Sequence, residues 1–133
     1  MRLPYLISLI ITCLLGCGLS PFAPDGANAN VEIRDAKFDG DYFHVVLENT
    51  GTDKAYYEAI AYGYWVGGRI LFIVEADNTS TENATFELDA GVSVVATFYL
   101  RPHKDTYPYL RSIKIEVSWK NGKTPNEKTF RFG

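Results

Sequence analysis

From Val31 onward, apolar side chains recur at every second position more often than with the period of a helix. A period of two places successive side chains on opposite faces of an extended strand, whereas a helix requires a period of 3.6 residues. Ile113, Ile115 and Val117 show this alternation clearly. Apart from one possible turn over Tyr107 to Ile113, no segment has a helical pattern. The chain must therefore build its core from sheets.

Turn-forming residues separate these segments at intervals of about 8–12 residues. Gly67-Gly68 and Asn121-Gly122 are the strongest signals, because both pairs suit the positive φ angles of tight hairpins. Arg101 to Pro108 is predicted to be a loop. The first predicted strand begins at Val31 and includes Ile33. The strands predicted after it are Tyr42–Leu47, Ala55–Val66, Arg69–Ala76, Thr85–Leu88, Val92–Leu100, Ile113–Val117 and Thr129–Phe132.

Seven or eight short strands with this spacing predict an all-β, antiparallel β-sandwich of the immunoglobulin-like kind. A small barrel is the alternative architecture. Uneven strand lengths and aromatic residues spread over both halves favour the sandwich. Residues 31–133 form one domain without repeats or cysteines. About 100 residues can bury enough surface to fold without disulfides.

The N-terminus has the layout of a secretory signal: Arg2, an apolar run and then small and turn-forming residues. The run is short for a membrane span, which needs about 20 residues. Leu14-Leu15-Gly16-Cys17 resembles the lipobox of bacterial lipoproteins. That resemblance implies a signal peptide over 1–16, a diacylglyceryl group on Cys17, and a flexible tether over 17–30. Ala27-Asn28-Ala29 is an alternative cleavage site of the ordinary secretory kind.

Lipidation at Cys17 would anchor the protein to a membrane of the bacterial cell envelope. The residue after the cysteine is Gly18 rather than an acidic residue, which implies the outer membrane if the host is Gram-negative. Cleavage after Ala29 would instead leave a periplasmic or secreted protein. The formal net charge of −3 gives no basic surface for tracking phosphates, so a nucleic-acid partner is not expected.

Between Val46 and Leu100, the order of turns and strands is similar to bacterial extracytoplasmic domains of the FxLYD and CARDB types. In those domains a strand ends in an Asn-Thr-Gly turn, here Asn49-Thr50-Gly51, and a strand led by alanine follows, here from Ala55. A hairpin with glycines, here Gly67-Gly68, and a later strand led by glycine complete the likeness. The resemblance implies an immunoglobulin-like sandwich that serves as a binding or structural accessory module.

The chain also resembles chagasin-type inhibitors of cysteine proteases, which are immunoglobulin-like and insert three loops as a wedge. Asn49-Thr50-Gly51 matches part of their Asn-Pro-Thr-Thr-Gly loop, and Arg101-Pro102-His103 matches part of their Arg-Pro-aromatic loop. Asp77 to Asn83 offers no counterpart to their glycine-rich loop. This resemblance implies cysteine-protease inhibition as the alternative function.

Catalytic chemistry has few candidates in residues 31–133. A thiolate nucleophile is excluded because this part has no cysteine. His44 is expected to be an ordinary strand residue and His103 an ordinary loop residue. The sequence of this part contains neither a Cys pair nor a His-x-x-x-His motif, so a zinc site is not predicted. The acidic cluster of Asp35, Asp39 and Asp41 is expected to be a solvated turn. We therefore expect no enzyme activity, no metal and no cofactor.

The aromatic residues of the segment from Ala55 to Val66 are the main candidates for binding. On a strand, Tyr56, Tyr62 and Tyr64 face one side, whereas Tyr57 and Trp65 face the other. One face is expected to pack into the core. If the other is exposed, it forms a candidate surface for a protein or a glycan. The candidate binding residues are Tyr56, Tyr62, Tyr64, Trp65, Tyr107 and Tyr109. The alternative is a strand buried on both faces.

Overall fold

The computed structural model describes residues 24–77 and 86–132. The signal segment 1–16, Cys17 and most of the polar loop predicted over Asp77 to Asn83 lie outside these ranges. The described strands are β1 (Val31–Phe38), β2 (Tyr42–Asn49), β3 (Ala55–Tyr64), β4 (Ile70–Glu75), β5 (Phe86–Leu88), β6 (Ser93–Tyr99), β7 (Ser112–Trp119) and β8 (Asn126–Arg131). These eight strands agree with the predicted seven or eight.

The strands form two antiparallel sheets. The smaller sheet has the order β1-β2-β6, and the larger has the order β4-β3-β7-β8, with β5 pairing the first part of β3. Immunoglobulin-like sandwiches also divide their strands between two sheets, with A, B, E and D in one and C, F and G in the other. The all-β sandwich is therefore confirmed, and the alternative of a closed barrel is wrong.

The core lies between the inward faces of the two sheets. Along β2, every second side chain is buried, from Phe43 to Asn49. The same alternation in β7 buries Ile113, Ile115 and Val117. Each large aliphatic or aromatic side chain removed from water contributes about 1.5–3 kcal/mol to stability. This apolar layer holds together a domain whose sequence has no cysteine.

The segment from Arg101 to Tyr109 is a 3-10 helix rather than the predicted loop. Pro102 fits its first turn, where a missing N–H costs no hydrogen bond. The hydroxyl of Thr106 donates to the carbonyl of His103 at 2.7 Å. The single helical turn was predicted over Tyr107 to Ile113, which is too late in the sequence, because the observed helix ends at Tyr109. No helix in the described part of the chain combines the length and hydropathy that a bilayer crossing requires.

The turn at Gly67-Gly68 has the predicted positive φ angles, 78° and 83°. It forms an irregular turn over Val66–Gly68, because these φ angles are not helical, and connects β3 to β4. Asn121 likewise has a positive φ, 64°, between β7 and β8. Both hairpins were predicted because glycine and asparagine tolerate this backbone region better than other residues.

Residues 24–30, which the sequence places in the tether, lie against one end of the sandwich. The N–H of Thr52 donates to the carbonyl of Asn28 at 2.9 Å. The N–H of Asn28 donates in turn to Asp53 Oδ2 at 3.0 Å. On the other side, Asn121 Nδ2 donates to the carbonyl of Asp25 at 2.6 Å. The segment is thus fastened to both the β2–β3 and the β7–β8 turns.

Candidate functional site

Strand β3 separates its side chains by size. Its inward positions are buried and carry mainly small residues, namely Ala55, Tyr57, Ala59, Ala61 and Gly63. Its outward positions are half-buried or exposed and carry Tyr56, Glu58, Ile60, Tyr62 and Tyr64. Burial raises the pKa of Tyr57 to about 12. The predicted division of the faces is confirmed for these residues, and the alternative of a strand buried on both faces is wrong.

Tyr62 and Tyr64 form an ordered pair on the outward face. Their rings are stacked with centroids 6.4 Å apart. Lys114 Nζ, from β7, lies 4.9 Å from the ring centroid of Tyr62 and 5.9 Å from that of Tyr64. The Tyr62 hydroxyl donates to Glu116 Oε1 at 3.0 Å, and this hydrogen bond raises the pKa of Tyr62. The pair is therefore held in place from β7.

Aliphatic side chains border the tyrosine pair on its other side. In the register of β3 with β4, Ile73 lies opposite Tyr62 and Ile70 opposite Tyr64. These isoleucines are 57% and 50% exposed. We refer to the surface formed by Tyr62, Tyr64, Ile70, Ile73 and Lys114 as the tyrosine face. It combines aromatic, aliphatic and cationic groups on one sheet.

An acidic border lies beside the tyrosine face. Ile60, the next outward residue of β3, lies between Glu75 of β4 and Glu116 of β7. Glu58 follows it on the same face and is exposed. An apolar centre with a charged border is the usual arrangement of a protein interface. The excess of carboxylates makes this end of the surface electronegative.

Trp65 and Tyr109 form a second aromatic pair just beyond the end of β3. Their ring centroids are 5.2 Å apart, and the guanidinium of Arg69 lies 5.5 Å from the Trp65 ring. Tyr109 is 49% exposed. Trp65 was expected on the inward face with Tyr57, but the strand ends at Tyr64, so the indole lies half-buried at the end of the sheet.

Tyr107 does not join Tyr109, although the two flank Pro108. The Tyr107 hydroxyl donates to the carbonyl of Gly40 at 3.0 Å, and its ring meets Phe38 edge-on with centroids 5.2 Å apart. Burial raises the pKa of this tyrosine, with smaller contributions from Asp41 and Asp39. Tyr107 therefore closes one end of the core, whereas the prediction placed it on a binding surface.

Tyr56 lies at the start of β3, away from the tyrosine face. It is paired with Glu87 of β5, and Lys54 Nζ lies 6.0 Å from its ring centroid. Strands rise about 3.4 Å per residue, so the six residues from Tyr56 to Tyr62 span about 20 Å. The structure thus brings together Tyr62 and Tyr64, with Trp65 and Tyr109 adjacent, and leaves Tyr56 and Tyr107 apart.

The two histidines occupy different parts of the sandwich. His44 lies on the outward face of the smaller sheet, where Nε2 is 3.0 Å from Asp39 Oδ2 and Nδ1 is 3.2 Å from Thr97 Oγ1. His103 stacks on Phe72 with ring centroids 5.2 Å apart. Thr97 lies within β6 rather than on a turn that projects a nucleophile, so this chain of hydrogen bonds orders the sheet surface.

Asp39 organises the turn between β1 and β2. Its Oδ1 accepts the N–H groups of Tyr42 at 2.7 Å and Asp41 at 3.0 Å. The bond from Tyr42 and the contact with His44 lower the pKa of Asp39 to about 2. Among the described residues, no three His, Cys, Asp or Glu side chains converge as metal ligands. The acidic cluster around Asp39 therefore serves turn geometry.

The two motifs that resemble inhibitor loops lie at opposite ends of the sandwich. Asn49-Thr50-Gly51 begins at the last residue of β2. Arg101-Pro102-His103 follows β6, whose last residue, Tyr99, pairs with Tyr42 at the start of β2. The length of β2 therefore separates the two motifs. They do not form a common wedge.

Sequence reasoning missed two features of the surface and core. Tyr99, 41% exposed, lies with Tyr42 on the outward face of the smaller sheet, their centroids 5.1 Å apart. Alternation in β6, with Phe98 buried, was the signal that could have located it. Asn49, assigned only to a turn, is fully buried. A lone asparagine at a strand end gives no sequence signal for burial.

Comparison of the chain with models of known protein families returns no match. Comparison with curated proteins also returns none. The arrangement of the tyrosine face therefore carries the functional interpretation.

Proposed function

We propose that this chain is a non-catalytic module of the bacterial cell envelope that binds a protein partner through the tyrosine face. The single observation behind this proposal is the ordered pair of Tyr62 and Tyr64 beside the exposed Ile70 and Ile73. Interface centres are enriched in tyrosine and in well-packed apolar side chains, because these groups bury large areas at a low cost in conformational entropy.

Hydrogen bonding and charge favour a preorganised surface. Glu116 fixes the Tyr62 hydroxyl and Lys114 lies against the Tyr62 ring, so fewer rotamers are lost when a partner binds. A protein partner fits better than a glycan, because Lys114 occupies space over the rings where a sugar would stack. The exposed isoleucines likewise offer no hydrogen bonds to hydroxyl groups. The acidic border at Glu58 and Glu75 favours a partner with basic residues around its contact.

A photoreactive residue at Thr129 tests the proposal in host cells. Thr129 is exposed and pairs with Lys114 in the ladder of β7 with β8, so it borders the tyrosine face without belonging to it. We expect one discrete adduct with another protein. The adduct should disappear in the double variant Tyr62→Ala/Tyr64→Ala.

The matched control is Tyr42→Ala/Tyr99→Ala, which removes the tyrosine pair of the smaller sheet. This control should keep the adduct, and both double variants should remain folded by circular dichroism. Equal loss of the adduct in both double variants would contradict the proposal. So would an adduct that forms only from a photoreactive residue at Val95, on the smaller sheet.

The location in the envelope depends on Cys17, and we propose that this residue carries the lipid anchor. The lipobox resemblance of Leu14-Leu15-Gly16-Cys17 supports this assignment. The mature protein should then begin at Cys17. Its intact mass should equal that of residues 17–133 plus the attached acyl groups. Cys17→Ala should abolish membrane partitioning, whereas Cys13→Ala should leave it unchanged. A mature protein that starts at Asn30 would refute the anchor and support the alternative cleavage site.

A further inference from the structure

The two edges of the larger sheet differ in how they are covered. Strand β8 lies beside β1 of the smaller sheet, and its side chains bridge the gap. Asn126 Nδ2 donates to the carbonyl of Val31 at 2.6 Å, and Lys128 Nζ donates to the carbonyl of Arg34 at 3.0 Å. Strand β4 forms the opposite edge, and no further strand pairs with it among the described residues. One edge is thus bridged to the smaller sheet along its length. At the other edge Asp77, just after β4, donates its N–H to the carbonyl of Thr97 in β6 at 2.7 Å, and we refer to the stretch from Ile70 to Glu75 as the open edge.

Of the features that protect sheet edges from pairing, the described part of this edge has one, a register shift between its pairs at Phe72 and Ile70. Natural edge strands carry lysine, proline or charges that face inward, because a bare edge recruits another strand. Strand β4 reads Ile-Leu-Phe-Ile-Val-Glu and contains neither lysine nor proline. Ile70 and Ile73 are also among the most exposed apolar side chains of the described chain.

The backbone of β4 presents free hydrogen-bonding groups outward. The N–H of Ala76 donates to Ala59 across the ladder with β3. Because hydrogen-bonded pairs alternate along antiparallel strands, Val74 and Phe72 also face β3. The N–H and C=O groups of Ile73 and Glu75 therefore point away from the sheet, where another strand can pair with them.

We propose that the occupant of this edge is β4 of a second copy, paired antiparallel about a twofold axis. Charge favours this occupant. In a register centred on Phe72, Arg69 of each copy lies opposite Glu75 of the other. This register therefore matches opposite charges at each end of an apolar strand. The dimer would join the two larger sheets into one and place their tyrosine faces side by side. This proposal does not rest on the proposed function.

Sedimentation velocity of the full chain, purified in a mild detergent, tests the pairing. The wild type should sediment as a dimer. The variant Ile73→Lys should sediment as a monomer, with half the protein mass per particle, because a lysine on an edge opposes strand pairing. Val95→Lys provides the control, since Val95 is 56% exposed on the smaller sheet, and it should remain dimeric. Tyr62→Ala/Tyr64→Ala should also remain dimeric, which separates this test from that of the tyrosine face.

A charge exchange then tests the orientation of the strands. Arg69→Glu should weaken the dimer by placing like charges opposite each other. Adding Glu75→Lys to that variant should restore it. A wild type that is monomeric at all concentrations would overturn the proposal and favour a foreign strand at this edge. Retention of the dimer in Ile73→Lys would overturn it as well, as would failure of the exchange to restore the dimer.

Discussion

The two faces of β3 reverse the size rule that most strands of a small domain follow. Apart from Tyr57, the inward face carries alanines and Gly63, whereas the outward face carries Ile60, Tyr62 and Tyr64. Large side chains from the opposite sheet, such as Phe43 and Phe98, supply the volume of the core instead. The aromatic side chains on the outward face are therefore not needed to fill the interior. Apart from Tyr57, the strand keeps its large side chains outside, which supports the proposed binding role of this face.

The largest effect is expected at Asn49, on the inward side of β2. Its Oδ1 accepts the N–H groups of Asn30 and Gly51, and its Nδ2 donates to the carbonyls of Asp53 and Leu88. Asn49→Ala leaves these backbone groups without their hydrogen-bond partner. The carbonyl of Leu88, whose bond to Asn49 is buried, then has no access to water. We expect the free energy of unfolding to fall by about 3 kcal/mol, measured by urea denaturation. Thr50→Ala, at the exposed neighbouring position, should cost less than half of that.

A leucine substitution on each face of β3 compares the two faces directly. Ala61 is fully buried, so Ala61→Leu overpacks the core and should lower the free energy of unfolding by about 1–3 kcal/mol. Tyr62→Leu, at the next residue but on the outward face, should change it by less than about 1 kcal/mol. Thermal melts of the two variants provide the measurement. Equal losses would show that the outward face is part of the core.

Removal of the outward pair should separate binding from stability. Tyr62→Ala loses the contact with Lys114 and the hydrogen bond to Glu116. Contacts of this kind contribute about 0.5–1 kcal/mol each at exposed sites. We expect a loss of about 1 kcal/mol in the free energy of unfolding, together with loss of the Thr129 adduct. A loss as large as that of Asn49→Ala would mean that the pair is structural.

The smallest effect is expected at Asp39, in the turn between β1 and β2 of the smaller sheet. Its pKa in the folded state, about 2, is lower than the model-compound value of 3.8. Its contribution to stability is therefore fully present above about pH 4 and is lost as the pH falls toward 2. Asp39→Ala should flatten the pH dependence of the melting temperature in that range and leave the Thr129 adduct unchanged. An unaltered profile would show that the turn does not depend on this carboxylate.

The alternation of apolar residues predicted the sandwich, because the period of two is kept in β2, β3 and β7, where both sheets face the core. It predicted which side of β3 carries Tyr62 and Tyr64 for the same reason. It could not predict that Tyr107 and Tyr109 diverge. Their separation depends on a 3-10 helix that forms around Pro102 and on a hydrogen bond to Gly40, far away in sequence.

The residues that contact Tyr62 and Tyr64 also could not be predicted from the sequence. Lys114 and Glu116 lie in β7, more than fifty residues after Tyr62. Only the register of β3 with β7 brings them to the same surface. The same applies to the open edge of β4, because strand order in a sheet depends on which strands meet after folding. Local patterns specify faces, whereas tertiary pairing specifies neighbours and edges.

The attachment of residues 24–30 to one end of the sandwich has a mechanical consequence. β1 continues from this segment along β2, and the C-terminal strand ends at the opposite pole, where Phe132 donates to the carbonyl of Arg111. A force applied between the start of β1 and the end of β8 therefore runs along β1. It loads the hydrogen bonds between β1 and β2 together in shear, rather than opening them one at a time. The two ends of the described sandwich are thus placed so that tension between them meets many hydrogen bonds at once.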